Sequence, residues 1–448
     1  MALSRLAAIV TLLLTIACGG ARDPAVPARG DALRVDTLSY GRFGPVLLYR
    51  RHEPPSRVVL FISGDGGWNL GVVRMAEELT SLDAMVVGID IRRYLGALGA
   101  AKESCSYPAG DFEALSQWIQ QRLRFPAYVT PLLMGYSSGA ALSYATLAQA
   151  PPGTFVGGVS LGFCPSLRVG RQLCRGYGLN SAVQARPGMR RFAPGDTLGA
   201  PWIVLQGAID GAESRWMPQL RRAFIRVTGT PGAPTSPRAP EVSDLPLIEL
   251  GPSAASRELA VVVSGDGGWA GIDRQIGQTF AAEGISVVGL NSLRYFWKPR
   301  TPEEAGADLA RVLRHYLQAW NASRVLLVGY SRGADVLPFM VNRLPADLRS
   351  QIDVVALLGL SREAGFEFHF ADLVAGAKGG RPTLPEMRGL RGLRVLCVRG
   401  MDETDSACRD LPPGLATVVS LPGGHHFGGA YRQVANRILE SAQRRSRT

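Results

Sequence analysis

Val325-Leu326-Leu327-Val328-Gly329-Tyr330-Ser331-Arg332-Gly333-Ala334-Asp335-Val336-Leu337 is the stretch on which the fold turns. Its first four residues read as a strand buried on both faces, and Ala334 to Leu337 is compatible with a helix. Between them, Gly329-x-Ser331-x-Gly333 sets small residues on either side of a serine, as a sharp strand-to-helix turn requires. Such a turn lifts the hydroxyl above the sheet edge at a helix N-terminus, where a nucleophile can meet a substrate. The pattern alone is weak: Gly158-Val159-Ser160-Leu161-Gly162 also matches, but inside a run, Val156 to Leu161, that reads as strand with no helix after its serine. Ser331 is the candidate nucleophile and Ser160 a coincidence.

The same elbow occurs a second time. Gly135-Tyr136-Ser137-Ser138-Gly139-Ala140 precedes Gly329 to Ala334 by 194 residues, and Phe61-Ile62-Ser63-Gly64-Asp65-Gly66-Gly67-Trp68 precedes Val262 to Trp269 by 201. Arg93-Tyr94 likewise returns as Arg294-Tyr295. A period near 200 is too long for a solenoid and indicates a duplicated domain. In the second copy, 259–264, 286–290, 324–328, 354–359 and 394–399 read as strands, and Pro302 to Trp320 as an amphipathic helix. Strands alternating with helices imply, for each copy, a mainly parallel sheet covered on both faces. The Gly, Pro, Thr and Ser-rich segment from Thr228 to Pro240 reads as a linker. The expected division is 31–228, linker 229–241, and 242–448.

A serine hydroxyl needs a base, and on this architecture the acid and then the histidine follow it in chain order. Gly423-Gly424-His425-His426-Phe427 supplies the base before a final helix, with His425 preferred and His426 a neighbour or headgroup contact. The acid is expected after the strand ending at Gly400, where Asp402, Glu403 and Asp405 compete. Spacing from Gly400 favours Glu403, then Asp405, with Asp402 last. The acid would fix the His tautomer and stabilise the imidazolium. Amides of the Ser264 to Trp269 loop, Gly265 and Gly267 among them, with that of Arg332, are candidate oxyanion donors. Asp266 either holds this loop or, with Asp335, meets a cationic substrate group. The first copy keeps Ser137 and an acid, Asp210, but no histidine falls between His52 and His315, so it is expected to bind or to scaffold.

The 448 residues are 46% hydrophobic, with 49 Lys and Arg against 37 Asp and Glu, a formal net charge of +12. That fits a solvated basic surface or attraction to anionic phospholipid headgroups, and the chain carries no nucleic-acid recognition motif. Five His and six scattered Cys show no usual zinc spacing, and neither metal nor cofactor is expected. Residues 1–17, an apolar run from Leu6 to Ala17 behind Arg5, read as an export signal. Ala17-Cys18 resembles a lipoprotein cleavage site, which makes Cys18 a candidate lipid anchor. Export permits disulfides, and short loops favour Cys397 with Cys408 and Cys164 with Cys174.

The paired Gly-Asp-Gly-Gly-Trp segments, the Gly329 to Ala334 elbow and the Gly423 to Phe427 loop resemble the bacterial VirJ/AcvB family. That resemblance implies tandem duplicated α/β-hydrolase domains in the periplasm, the first degenerate. It also implies hydrolysis of the aminoacyl ester of lysyl-phosphatidylglycerol, with an aminoacylated phospholipid at a membrane surface as partner. Type IV secretion or envelope proteins are the partners it implies for an adaptor role, and a general esterase fits the same triad.

Overall fold

The apolar runs of each copy form a seven-stranded sheet in the computed structural model. The structure describes residues 32–443, apart from 52, 102–104, 180–182, 187, 193–197, 207–212, 230–239, 252–256, 270 and 370–379. The segment expected to be an export signal, Cys18, His52, Asp210 and most of the expected linker lie outside the described residues. In the first copy, β1 (Arg34–Tyr40), β2 (Gly44–Arg50), β3 (Arg57–Ile62), β4 (Ala84–Ile89), β5 (Leu132–Tyr136), β6 (Gly157–Leu161) and β7 (Trp202–Leu205) pair in the order β1-β2-β4-β3-β5-β6-β7. In the second, β8 (Leu247–Leu250), β9 (Glu258–Val263), β10 (Ser286–Leu290), β11 (Arg324–Tyr330), β12 (Ile352–Leu358), β13 (Val395–Gly400) and β14 (Thr417–Leu421) pair in the order β8-β10-β9-β11-β12-β13-β14. From β10 to β14 every pairing is parallel, and β8 is the antiparallel edge. Ser160 lies within β6, as its apolar surroundings predict.

Alternation along each strand divides the second core into two layers. Leu259, Val261 and Val263 face the helices Pro302–Ala319 and Arg332–Asn342. Ala260 and Val262 face Gly271–Ala282 and Tyr431–Gln443. The helix at Pro302 starts where it does because Thr301 and Glu304 form a reciprocal capping box, with Pro302 opening the first turn. One polar contact recurs in both cores. The buried Tyr94 hydroxyl donates to Asp111 at 2.8 Å, and the buried Tyr295 hydroxyl to Asp308 at 2.6 Å.

The copies differ at the edge that matters for chemistry. In the second, residues 401–430 separate β13 from the last helix and include β14. In the first, only residues 206–212 lie between β7 and the helix Glu213–Thr228, and its sheet gains β1 at the opposite edge instead. The two copies pack against each other. Trp297 of the second donates its indole N–H to the Phe125 carbonyl at 2.7 Å and, with Leu293 and Phe368, joins the buried cluster of the first. Arg294 donates to Thr130 Oγ1 at 2.9 Å.

Cys397 pairs with Cys408 as expected, but Cys174 pairs with Cys105, which corrects the Cys164–Cys174 expectation. The reason is backbone pairing: Ser106 donates to Gln172 and accepts from Cys174, which holds the Cα atoms of Cys105 and Cys174 5.0 Å apart. Cys164 is exposed and unpaired. A bridge spanning 69 residues should matter more than one spanning 11. Loop-closure entropy puts the two at about 4 and about 3 kcal/mol. Denaturant titration of a Cys105→Ser, Cys174→Ser double variant should therefore show the larger loss, and equal midpoints for this and the Cys397→Ser, Cys408→Ser variant would contradict the ranking.

Candidate active site

The elbow forms because β11 runs into a helix with no intervening loop, which only a left-handed residue can achieve. Ser331 takes φ 52° and ψ −122°. Gly329 and Gly333 permit it: a Cβ on Gly329 would collide with the Gly333 backbone, and one on Gly333 with the Val263 backbone. The Ser331 N–H donates to Leu358 at 2.8 Å, fixing the turn to the neighbouring strand. Ser137 adopts φ 55° and ψ −119°, so the elbow persists in the copy that lacks a base.

Across the edge of the sheet, the three residues after β13 bend back so that the Gly400 N–H donates to Glu403 Oε2 at 3.1 Å. Glu403 Oε1 then meets His425 Nδ1 at 2.6 Å. This leaves Nδ1 protonated and Nε2 as the basic nitrogen. Burial pushes Glu403 up, but the hydrogen bonds from His425 and Gly400 outweigh it and hold the carboxyl below its usual range. The Glu403 hydrogen bond raises His425 above its ordinary value against the opposing effect of burial. The imidazole rests on Gly359, at the end of β12, where a Cβ would sit 2.6 Å from its Cε1. His425 and Ser331 line the same cavities. Of the competing acids Glu403 takes the imidazole, while Asp402 and Asp405 are exposed and Asp405 faces the cavity instead.

The Gly-Asp-Gly-Gly-Trp motif is largely structural. In both copies the hydroxyl of the serine just before it, Ser63 or Ser264, accepts a backbone N–H from the next strand-to-helix turn, Ile91 at 3.1 Å and Ser292 at 2.9 Å. In both, the indole covers a strand glycine, Gly88 or Gly289. What distinguishes the second copy lies beside the motif. Asp266 pairs with Arg332 Nε, and Arg332 also donates to the carbonyls of Gly365 at 2.8 Å and Glu367 at 3.0 Å. The Arg332 side chain is thus a buried clamp, while its amide, at the first position of the helix, is free of intrahelical acceptors and remains a candidate oxyanion donor. Asp266 holds the loop, with its charge matched by Arg332.

Two cavities meet at Ser331. One of about 390 Å³ is lined by Asp266, Asp335, Arg362, Asp405 and His425. Asp335 is buried, accepts the Ser361 N–H at 2.7 Å, and is pushed up by burial to about 7. The other, of about 660 Å³, lies between the copies and includes Gly265, Gly267 and His426. His426 Nδ1 bonds the Tyr330 hydroxyl at 2.7 Å, and burial, then the charge of His425, lower its pKa. It is therefore a neutral neighbour of the base. Sequence reasoning missed Asp273, Glu113, Tyr107 and Tyr431 of this second cavity. The repeat offered a signal for one of them, since Asp273 stands where the first copy has buried Val72.

The sequence matches the family described as bacterial virulence protein (VirJ) over residues 56–154 and 257–446. No match was found among curated protein sequences. Among solved structures, the chain is similar to Est1E from Butyrivibrio proteoclasticus with bound ferulic acid, at 13% identity over 44% of this chain and 93% of that one, with a TM-score of 0.32. The type II thioesterase BorB of the borrelidin biosynthetic cluster is 16% identical over 44% of this chain and 97% of that one, with a TM-score of 0.32. XC6422 from Xanthomonas campestris, described as an α/β serine hydrolase without a lid, is 15% identical over 44% and 87%, with a TM-score of 0.30.

The geometry ranks the substitutions. On any accepted ester, Ser331→Ala and His425→Ala should each lower kcat by about 10⁴-fold or more, and Glu403→Gln by about 10²- to 10⁴-fold. Asp405→Asn, Asp402→Asn and His426→Ala should cost far less; an Asp405→Asn loss matching that of Glu403→Gln would reassign the acid. Because His425 must be neutral to act and its pKa is raised above 6.5, the acid limb of kcat/KM should lie above pH 6.5 and move down in Glu403→Gln. The pair should stabilise the fold fully between pH 4.5 and 6.5. That contribution fades as pH rises through the raised His425 value or falls through the depressed Glu403 value, which thermal melts of wild type and Glu403→Gln across pH will read.

Proposed function

The chain belongs to the bacterial VirJ virulence-protein family, and from that premise we propose that its second copy is a serine hydrolase cleaving the aminoacyl ester of lysyl-phosphatidylglycerol at a membrane surface outside the cytoplasm. The observation that carries the reading is the Glu403–His425 hydrogen bond beside a serine held in the elbow conformation. His425 Nε2 takes the Ser331 proton as Oγ bonds to the ester carbonyl carbon. Charge on the carbonyl oxygen falls to amides of the 264–269 loop and Arg332. Collapse breaks the bond to the glycerol oxygen, which takes the proton from His425 and leaves as phosphatidylglycerol. Water then attacks the lysyl-Ser331 ester, giving its proton to the same nitrogen, and lysine departs with Ser331 re-protonated.

Carboxylates around the serine support an aminoacyl rather than a plain acyl group. Asp335 and Asp405 line the smaller cavity together with Ser331. An α-ammonium beside Asp335 would relieve the cost of ionising it where it is buried. Asp335 also has no counterpart in the first copy, where Ala141 occupies the position. Asp266 is less suited, because Arg332 already matches its charge. The net charge of +12 favours approach to anionic phospholipid.

Vesicles containing lysyl-phosphatidylglycerol should release free lysine with the wild-type protein and with Ser137→Ala, and none with Ser331→Ala. Alanyl-phosphatidylglycerol should turn over more slowly. If wild-type protein released no amino acid from either lipid, an adaptor role in the envelope would replace this reading.

A further inference from the structure

We infer that the first copy is part of the substrate site: the helix Pro108–Arg122 brings Glu113 into the cavity between the copies, where it and Asp273 cradle a primary ammonium at the end of the substrate's acyl chain. The placement is direct. Glu113 Oε1 lies 4.0 Å from where a Cβ on Gly267 would stand, so a carboxylate of the first copy abuts the oxyanion loop of the second. Gly265, Ser331 and His425 line the same cavity, so its contents adjoin the reacting ester.

Both carboxylates are unusual for the fold. Asp273 is 3% exposed; its Oδ2 accepts the Gly265 N–H at a long 3.5 Å, and its Oδ1 has no hydrogen-bond partner among the described residues. An uncompensated buried carboxylate is costly, and the first copy meets the same position with Val72. Aligning the recurrent Tyr–Asp bonds sets Asp111 against Asp308 and hence Glu113 against Ala310, so neither acid is required by the architecture. Among the described residues lining this cavity there is no Lys or Arg. Burial pushes Glu113 up to about 7, and Asp273 well above its ordinary value.

The remaining walls define the shape of that cation. Tyr107, Tyr330, Tyr431, Ile272 and Pro151 present apolar and aromatic surface to the cavity that Ser331 and both carboxylates line. A flexible methylene chain ending in an ammonium fits this combination, with its stem on the rings and its head on the acids. The inference rests on the aminoacyl-ester reading and divides the two charges of a lysyl group. The α-ammonium falls to Asp335, and the ε-ammonium, which alanyl esters lack, to Glu113 and Asp273.

The test compares full-length wild type, Glu113→Gln and Asp273→Val on lysine methyl ester and norleucine methyl ester, which differ by the ε-ammonium. Wild type should prefer the lysine ester in kcat/KM by about tenfold or more, through KM, and each variant should collapse that ratio toward unity. Asp273→Val installs the residue that the first copy tolerates, and an unchanged or raised melting midpoint shows that the loss is one of recognition. A wild type without preference, or a preference untouched in both variants, overturns the cradle. Lysyl-phosphatidylglycerol is assayed alongside. Failure on the lipid with the methyl-ester ratio intact would remove the lipid assignment and keep the cradle, and the converse result would remove the cradle alone.

Discussion

A serine on a left-handed elbow is inert until a base is held over it, and here one hydrogen bond holds the base. Glu403 Oε1 meets His425 Nδ1 at 2.6 Å, and each partner is positioned by a different strand end. Glu403 is turned inward by the Gly400 amide at the end of β13, and His425 follows β14 and lies on Gly359 at the end of β12. Three parallel strands in register are therefore needed to place two side chains, and the parallel pairings β12–β13 and β13–β14 provide that register. A chain without β14 has nowhere to carry the base. That is the condition of the first copy, whose β7 leads to its last helix through residues 206–212 alone.

The duplication separates what the fold needs from what the chemistry needs. Contacts present in both copies are architectural: the strained serine, the Trp over a strand glycine, the serine hydroxyl on the next turn, and the Tyr–Asp bond in the core. The matching strain at Ser137 shows that packing shared by both copies sets the elbow. Residues peculiar to the second copy are Arg332, Asp335 and Asp273, against Ser138, Ala141 and Val72 in the first. All three are charged and largely buried, a combination that folding alone disfavours.

Much of this was legible in the sequence because it is local. The elbow, the order of acid and base, and the helix from Pro302 each follow from spacing within a few residues, and the observed strands match those expected to within two or three residues. The carboxylate that spacing from Gly400 favoured, Glu403, is the one that bonds His425. The errors arose where the chain returns from afar. Cys174 finds Cys105 across 69 residues because of a backbone bridge that no short-range rule encodes. For Asp266 the sequence left open a loop-holding role or a cationic substrate group, and its pairing with Arg332, 66 positions away, favours the first. Glu113 carries no motif at all, and the docking of one copy on the other brings it to the 264–269 loop.

That docking lets the first copy line a cavity at the serine of the second. Trp297, seated in the core of the first copy and bonded to Phe125, ties the copies together through buried apolar surface. Such a contact fixes relative orientation more firmly than surface ion pairs could, because it removes large rings from water and satisfies the indole N–H at once. With orientation fixed, any residue on the facing helix becomes available to the neighbouring site. Ser331, Glu403 and His425 come from strand ends of the second sheet, whereas the far wall of the cavity between the copies comes from the first. The first copy, which has no strand matching β14 among the described residues, presents Tyr107 and Glu113 there, and on the substrate-cradle proposal its divergence is specialisation of a wall.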